Sequence, residues 1–295
     1  MGIKRVICSV LGLALVLSLF LVAGCSEDRK AETTGEEISE KPIIAVTIVP
    51  EQTFVEAVCG DLAEVIVMVP PGYSPENYEP TPEIIEKFSK AAYYFSIGVP
   101  TEKANILPNA GDVRVVSLHD EVASVYPHRT FESGERDPHI WLSPKRVKVM
   151  IEIIANRMSE IDEVNKDTYS KNAEAYIRKL DELDQQISSS LEGVQSKKFI
   201  AYHPAFGYIA DDYGLKMYAL EEEGKEATAQ HLQEMIDLAK EENIKAIFYQ
   251  EEIDNRQSEA FAEEIGGKTI QLAPLAADYI GNLKKMADMI AEVMQ

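Results

Sequence analysis

The chain has 295 residues, 45% of them hydrophobic, with 50 acidic against 29 basic side chains and a formal charge of −21. That acidic surplus excludes nucleic acid as a partner, because phosphate binding is driven by lysine and arginine displacing counterions. Two of the three cysteines fall within the first 25 residues, which leaves Cys59 alone and excludes an internal disulfide from the body of the chain.

At the N-terminus Lys4 and Arg5 precede an apolar run over residues 10–23, which closes on Val22-Ala23-Gly24-Cys25. A basic start, a short apolar stretch and small residues before a cut describe an export signal, and the run is shorter than the roughly 20 residues a comfortable membrane span needs. Cys25 behind Val-Ala-Gly resembles the lipobox of bacterial lipoproteins. Residues 1–25 are therefore expected to be a lipoprotein signal peptide with Cys25 the lipidated residue, placing an exported protein on the outer face of a membrane or in the periplasm. Cleavage removes Lys4 and Arg5 and no acid, so 27 basic residues face 50 acidic ones, a formal charge of −23. A surface of that sign favours solubility. Residues 26–41 are charged and almost free of large apolar groups, and the pattern predicts a flexible tether.

Short apolar runs then alternate with longer amphipathic segments, the signature of α/β architecture with mostly parallel sheets. Four predicted strands, over 43–48, 65–69, 93–97 and 113–118, fall in an N-terminal lobe of residues 42–165. Four more, over 199–202, 216–219, 244–249 and 269–272, fall in a C-terminal lobe of residues 194–295. Between the lobes Tyr169, Ala173, Tyr176, Leu180, Leu183, Ile187 and Leu191 recur at steps of three and four, predicting an amphipathic helix over 167–192 with Gly193 as its stop. Such a helix spans about 40 Å, enough to tie both lobes together. The expected fold is thus α/β, with two lobes, each a mostly parallel four-stranded sheet flanked by helices, joined by one long rigid helix over 166–193.

Ligands of open α/β sheets gather beyond the carboxyl ends of the strands. Glu76 lies there, in the loop VPPGYSPENYEPTPE, which holds Pro70, Pro71, Pro75, Pro80 and Pro82. Each proline fixes a backbone angle, so the loop loses little entropy when it holds a group in place. His139 sits between Pro138 and Pro144 beside Trp141, the one tryptophan of the chain, and Ser143-Pro144 has the form of a helix cap and first position. His203 directly follows the strand over 199–202, and Gln250, Glu251 and Glu252 follow the strand over 244–249. Two neutral imidazoles and a carboxylate on restrained loops suit a divalent transition metal. Their spacing matches no local metal motif, and a single histidine taken alone is more often a surface or hydrogen-bonded structural group.

Four ordered segments carry a resemblance that reaches from about residue 43 to the end: VPPGYSPENYEPTP, DPHIWLSP, YHPAFGYIADDYGL and AEEIGGKTIQLAPLAADY. They resemble the substrate-binding lipoproteins of zinc and manganese ABC importers, the metal-receptor branch of cluster A-I. The resemblance implies a metal held between two lobes, with His139 and His203 as the second and third ligands. The first position departs: relatives have Pro-His-x-Tyr-Glu-Pro, and here Glu76 stands in place of the histidine. The fourth departs further, since the family Asp-Pro-Leu is Ala273-Pro274-Leu275. Strand alternation puts Gln250 and Glu252 on one side, and Glu252 is the expected replacement. His119 is a reserve ligand, His128 and His231 are read as solvated, and Asp137 and Glu79 as acceptors that orient an imidazole. Relatives often carry a histidine-rich stretch before the second ligand, whereas residues 119–136 hold only His119 and His128. The implied cargo is zinc, slightly favoured over manganese. The implied partners are an ABC permease and its ATPase, served by a monomer that is not an enzyme. A zinc-dependent hydrolase on the same ligands, or a surface adhesin that has lost its metal, are the alternatives.

Overall fold

The computed structural model describes residues 41–295 apart from 222–224, 226, 254 and 255. The expected signal peptide, the lipid-bearing Cys25 and all of the tether but Lys41 lie outside the described residues.

Eight short strands form where the apolar runs stand. β1 (Ile43–Val46), β2 (Glu64–Val67), β3 (Tyr93–Ser96) and β4 (Arg114–Ser117) make one sheet in the order β2-β1-β3-β4. β5 (Lys198–Ala201), β6 (Lys216–Ala219), β7 (Ala246–Gln250) and β8 (Lys268–Leu272) repeat that order as β6-β5-β7-β8. Every described pairing between these strands is parallel. The helices in chain order are α1 (Val49–Cys59), α2 (Pro82–Phe88), α3 (Leu118–Val122), α4 (Pro144–Ile161), α5 (Lys166–Glu192), α6 (Gly207–Asp212), α7 (Ala229–Glu241), α8 (Arg256–Glu264) and α9 (Tyr279–Val293). None of the described helices is long and apolar enough to cross a membrane.

Burial follows the pleat. Ile44, Val46, Tyr93 and Phe95 point into a central core, while Ala45 and Tyr94, one residue out of step, belong to a separate cluster behind the first sheet. In the second sheet Phe199, Ala201 and Phe248 face the central core, and Ile200 and Ile247 face a third cluster. Both faces of each sheet are therefore covered, as parallel sheets require. The central core is continuous between the sheets. It includes the expected stripe of α5, all seven residues of which are buried, and α5 packs on α1 and α4 on one side and on α9 on the other.

Two helix starts that matter for the site are capped by side chains. Thr81 Oγ1 accepts from the Ile84 N–H and Ser143 Oγ from the Arg146 N–H, with Pro82 and Pro144 at the first helical positions. The stop of α5 differs in mechanism from expectation. Gly193 caps it with φ −86°, outside the left-handed region, and Lys197 Nζ donates to the Leu191 and Glu192 carbonyls instead.

Candidate metal centre

Three loops at the carboxyl ends of strands meet between the two sheets. The loop after β2 carries Glu76. It is pinned against the segment after β3, where the Thr101 N–H donates to the Pro75 carbonyl at 3.2 Å, Thr101 Oγ1 donates to the Tyr78 carbonyl, and Asn105 Nδ2 donates to the same oxygen at 2.9 Å. His139 stands on the loop that leads into α4. The Trp141 indole N–H beside it donates to the Pro274 carbonyl at 3.0 Å, and the Trp141 carbonyl accepts from Tyr279 OH at 2.7 Å. The single tryptophan thus bonds the His139 loop to the second half of the molecule. His203 lies two residues past β5, a central strand of the second sheet, next to the point where the strand order reverses.

Glu76, His139 and His203 each offer a donor atom within 4.8 Å of the other two. His139 Nε2 and His203 Nε2 are 3.2 Å apart, and Glu76 Oε1 lies 3.9 Å and 3.8 Å from them. The circle through the three atoms has a radius of about 2.1 Å, which is a zinc–nitrogen or zinc–oxygen bond length. A tetrahedral ion asks the Glu76 oxygen to draw in by about half an ångström.

The tautomers favour a cation. His139 Nδ1 is 2.7 Å from Asp137 Oδ1, which also accepts the His139 backbone N–H, and Asp137 pairs with Arg129 Nη1 at 2.8 Å. His203 Nδ1 is 2.7 Å from Glu221 Oε2. An ionised carboxylate only accepts, so both Nδ1 atoms carry hydrogen, and in neutral imidazoles both Nε2 atoms then present lone pairs. Two lone pairs facing at 3.2 Å repel unless a positive centre lies between them. Burial pushes the Glu76 carboxyl above the usual carboxylate range; His203 pulls it back, and Glu221 and Asp137 push it further up. One bound dication offsets all of these costs.

Glu252, expected as the fourth donor, is not in this cluster. β7 ends at Gln250 and the chain turns at once, with the Ile253 N–H donating to the Gln250 carbonyl at 3.2 Å, so strand alternation does not reach position 252. Glu252 lines a separate cavity with residues 69–72 and 275–277. Its Oε2 is buried without a hydrogen-bond partner among the described residues, and burial raises its carboxyl pKa. Ala273 lines yet another cavity with Glu251. His119 lies by Gly98 and Arg136, its pKa lowered to about 4 chiefly by burial and then by Arg136. His128 Nε2 lies 3.7 Å from Asp120. His231 is not simply solvated, since its Nε2 bonds the Ala219 carbonyl at 2.9 Å. Of the two acceptors expected to orient an imidazole, Asp137 does so, whereas Glu79 is exposed.

Sequence reasoning missed Glu221 and Arg129. The run Glu221-Glu222-Glu223 just past β6 was the available signal for the first. Arg129 gave none, because its role depends on a fold contact: its Nε bonds Asp211 on α6 at 2.9 Å, and its guanidinium packs where a Cβ on Gly207 would come within 2.3 Å. A side chain at position 207 would displace the guanidinium from this place.

Comparison with known proteins agrees with this architecture. The family model described as zinc-uptake complex component A, periplasmic, matches residues 44–293. The zinc-binding lipoprotein AdcA of Streptococcus pneumoniae (strain ATCC BAA-255 / R6) is 32% identical over 281 residues, 89% of this chain and 54% of AdcA, so the chain spans about half the length of that relative. The high-affinity zinc uptake system protein ZnuA of Bacillus subtilis (strain 168) is 28% identical over 274 residues, covering 88% of this chain and 86% of its own. A crystal structure of ZnuA superposes with a TM-score of 0.81 at 36% identity, over 87% of this chain and 100% of that one. With a family model spanning nearly the whole described body and a solved relative of the same architecture, the chain belongs to the periplasmic zinc-uptake component A family of metal-receptor proteins.

Proposed function

We propose that the protein captures a divalent transition metal outside the cytoplasmic membrane, zinc in preference to manganese, and delivers it to an ABC permease driven by a cytoplasmic ATPase. Glu76, His139 and His203 are the protein ligands in this reading. The observation behind it is the meeting of two imidazole lone pairs and a buried carboxylate on a circle of bond-length radius. The names of the relatives, zinc-binding lipoprotein and zinc uptake protein, support the same direction.

Two nitrogens and one oxygen suit zinc and accept manganese. Glutamate in place of the family histidine hardens the site toward manganese, yet zinc stands above manganese in intrinsic affinity for such shells. The sequence contains no GxxxxGK[ST] loop, so ATP chemistry belongs to the partners. Lipidation at Cys25 and the tether over 26–41 keep a monomeric receptor at the membrane. The hydrolase alternative needs a base beside the ion, and the candidates for it, Glu251 and Glu252, line other cavities.

The test is metal content after exhaustive dialysis from zinc. Wild type is expected to retain one equivalent, and the Glu76→Ala/His139→Ala/His203→Ala triple variant none. Equal retention by both, or none by wild type, overturns the proposal and leaves the adhesin alternative standing.

A further inference from the structure

Glu76, His139 and His203 form only one wall of a larger space. They line a cavity of about 460 Å³, inside the range of small-molecule sites and far above the roughly 30 Å³ that one water occupies. The lining also includes Phe131, Lys103 and Arg136. We infer that this cavity is the second half of the binding site and takes a small carboxylate chelator that completes the ion's coordination, so that the captured species is a metal chelate. The inference rests on the metal-receptor reading and names its substrate class more closely.

Three observations carry it. The described residues supply three donors and no fourth: Glu252 and Ala273, the positions from which a fourth was expected, line other cavities. An ion on these three ligands keeps its remaining positions open, and the cavity is the space next to them. Two cations, Lys103 and Arg136, share the lining with the triad. Lys103 is exposed and has no ion-pair partner among the described residues. Arg136 is fixed by its Nη2 donating to the Gly98 carbonyl at 2.6 Å, and Gly98 makes room for it, since a Cβ there would lie 2.0 Å from that nitrogen. Among the described residues Glu135, exposed, is the one acid of the lining outside the metal triad, and Glu102 interacts with the Arg136 charge from outside the lining.

Lys103 and Arg136 favour an anion in the space beside the metal. A carboxylate meets both demands: one oxygen binds the ion, and a second carboxylate of the same molecule reaches Lys103. Arg136 contributes a fixed positive field. The apolar part of the wall accommodates the short carbon link.

The experiment is equilibrium dialysis of full-length protein, zinc-loaded and zinc-free, against ¹⁴C-malonate, a dicarboxylate with weak zinc affinity of its own, with zinc measured in the same samples. Expected are one malonate per zinc-loaded molecule, none on the zinc-free protein, and at least tenfold weaker malonate binding per bound zinc in Lys103→Glu. On cobalt-loaded protein malonate is expected to shift the visible d–d bands, the signature of a ligand on the ion itself. The inference is overturned if zinc stays bound and malonate is not retained, if zinc-free protein retains it equally, or if Lys103→Glu binds it as wild type does; the metal-receptor reading survives each of these. If wild type retains no zinc, that reading falls and this one falls with it.

Discussion

At the scale of single residues the proposed metal site depends on carboxylates outside the Glu76, His139 and His203 triad. Asp137 and Glu221 each hold an imidazole by Nδ1 and turn its Nε2 lone pair toward the other. Asp137→Asn and Glu221→Gln are each expected to weaken zinc binding 10- to 100-fold in a competition titration with a chromogenic chelator, without loss of fold. Glu76 gives the pH dependence. Its carboxyl is raised by burial, so the proton leaves it at a higher pH than it leaves an ordinary glutamate, near 4.3. With Glu76 as the proposed ligand, proton and metal would compete for the same oxygen. Zinc affinity is therefore expected to fall as pH falls through that raised value, and Glu76→Gln to lose that part of the slope while binding more weakly throughout. Affinity measured from pH 4 to 8 checks the sign.

At the scale of elements α5 decides whether the lobes act together. Tyr169, Leu180, Leu183 and Ile187 lie at 0–1% exposure inside a core shared by both sheets. Leu183→Ala removes packing from that shared core and is expected to cost 2–5 kcal/mol, about what buried leucine truncations cost. A single cooperative transition at a lower urea midpoint is the expected outcome, because no lobe has a core of its own between its sheet and α5. Two separated transitions would show that α5 belongs to one lobe alone. Prolines act at this scale as well. Pro82 and Pro144 open α2 and α4 on capped starts, and the loops that carry Glu76 and His139 end there.

At the scale of the whole molecule the lobes are bonded across their interface in several places. Trp141 bonds the Pro274 carbonyl, Tyr279 bonds Trp141, Thr53 Oγ1 bonds the Ala277 carbonyl at 2.8 Å, and Arg129 bonds Asp211. Lys41–Gln295 form one compact unit. Opening by a wide hinge would break all of these bonds and expose the shared core, so metal is expected to move loops of the second lobe and little else. Small-angle scattering is expected to give radii of gyration for zinc-free and zinc-loaded protein that agree within about 1 Å, on a radius near 18 Å for a compact body of this length. A larger compaction on adding zinc would contradict that rigidity.

Local chemistry set what was legible in the sequence. Eight strands, the α5 stripe and the Ser143-Pro144 cap follow from period two, period 3.6 and proline geometry, which neighbours along the chain establish among themselves. The resemblance pointed to Glu76, His139 and His203 one by one, and the amino-acid order holds no distance between them. The 3.2 Å approach of two imidazoles, the Glu221 partner, the Arg129 contact with Asp211 and the exclusion of Glu252 all depend on how two sheets dock on one helix. Position 252 shows the reason most plainly: an alternation rule holds only while the strand lasts, and where β7 stops is settled by its pairing with β8 and by the turn that follows, both of them tertiary facts.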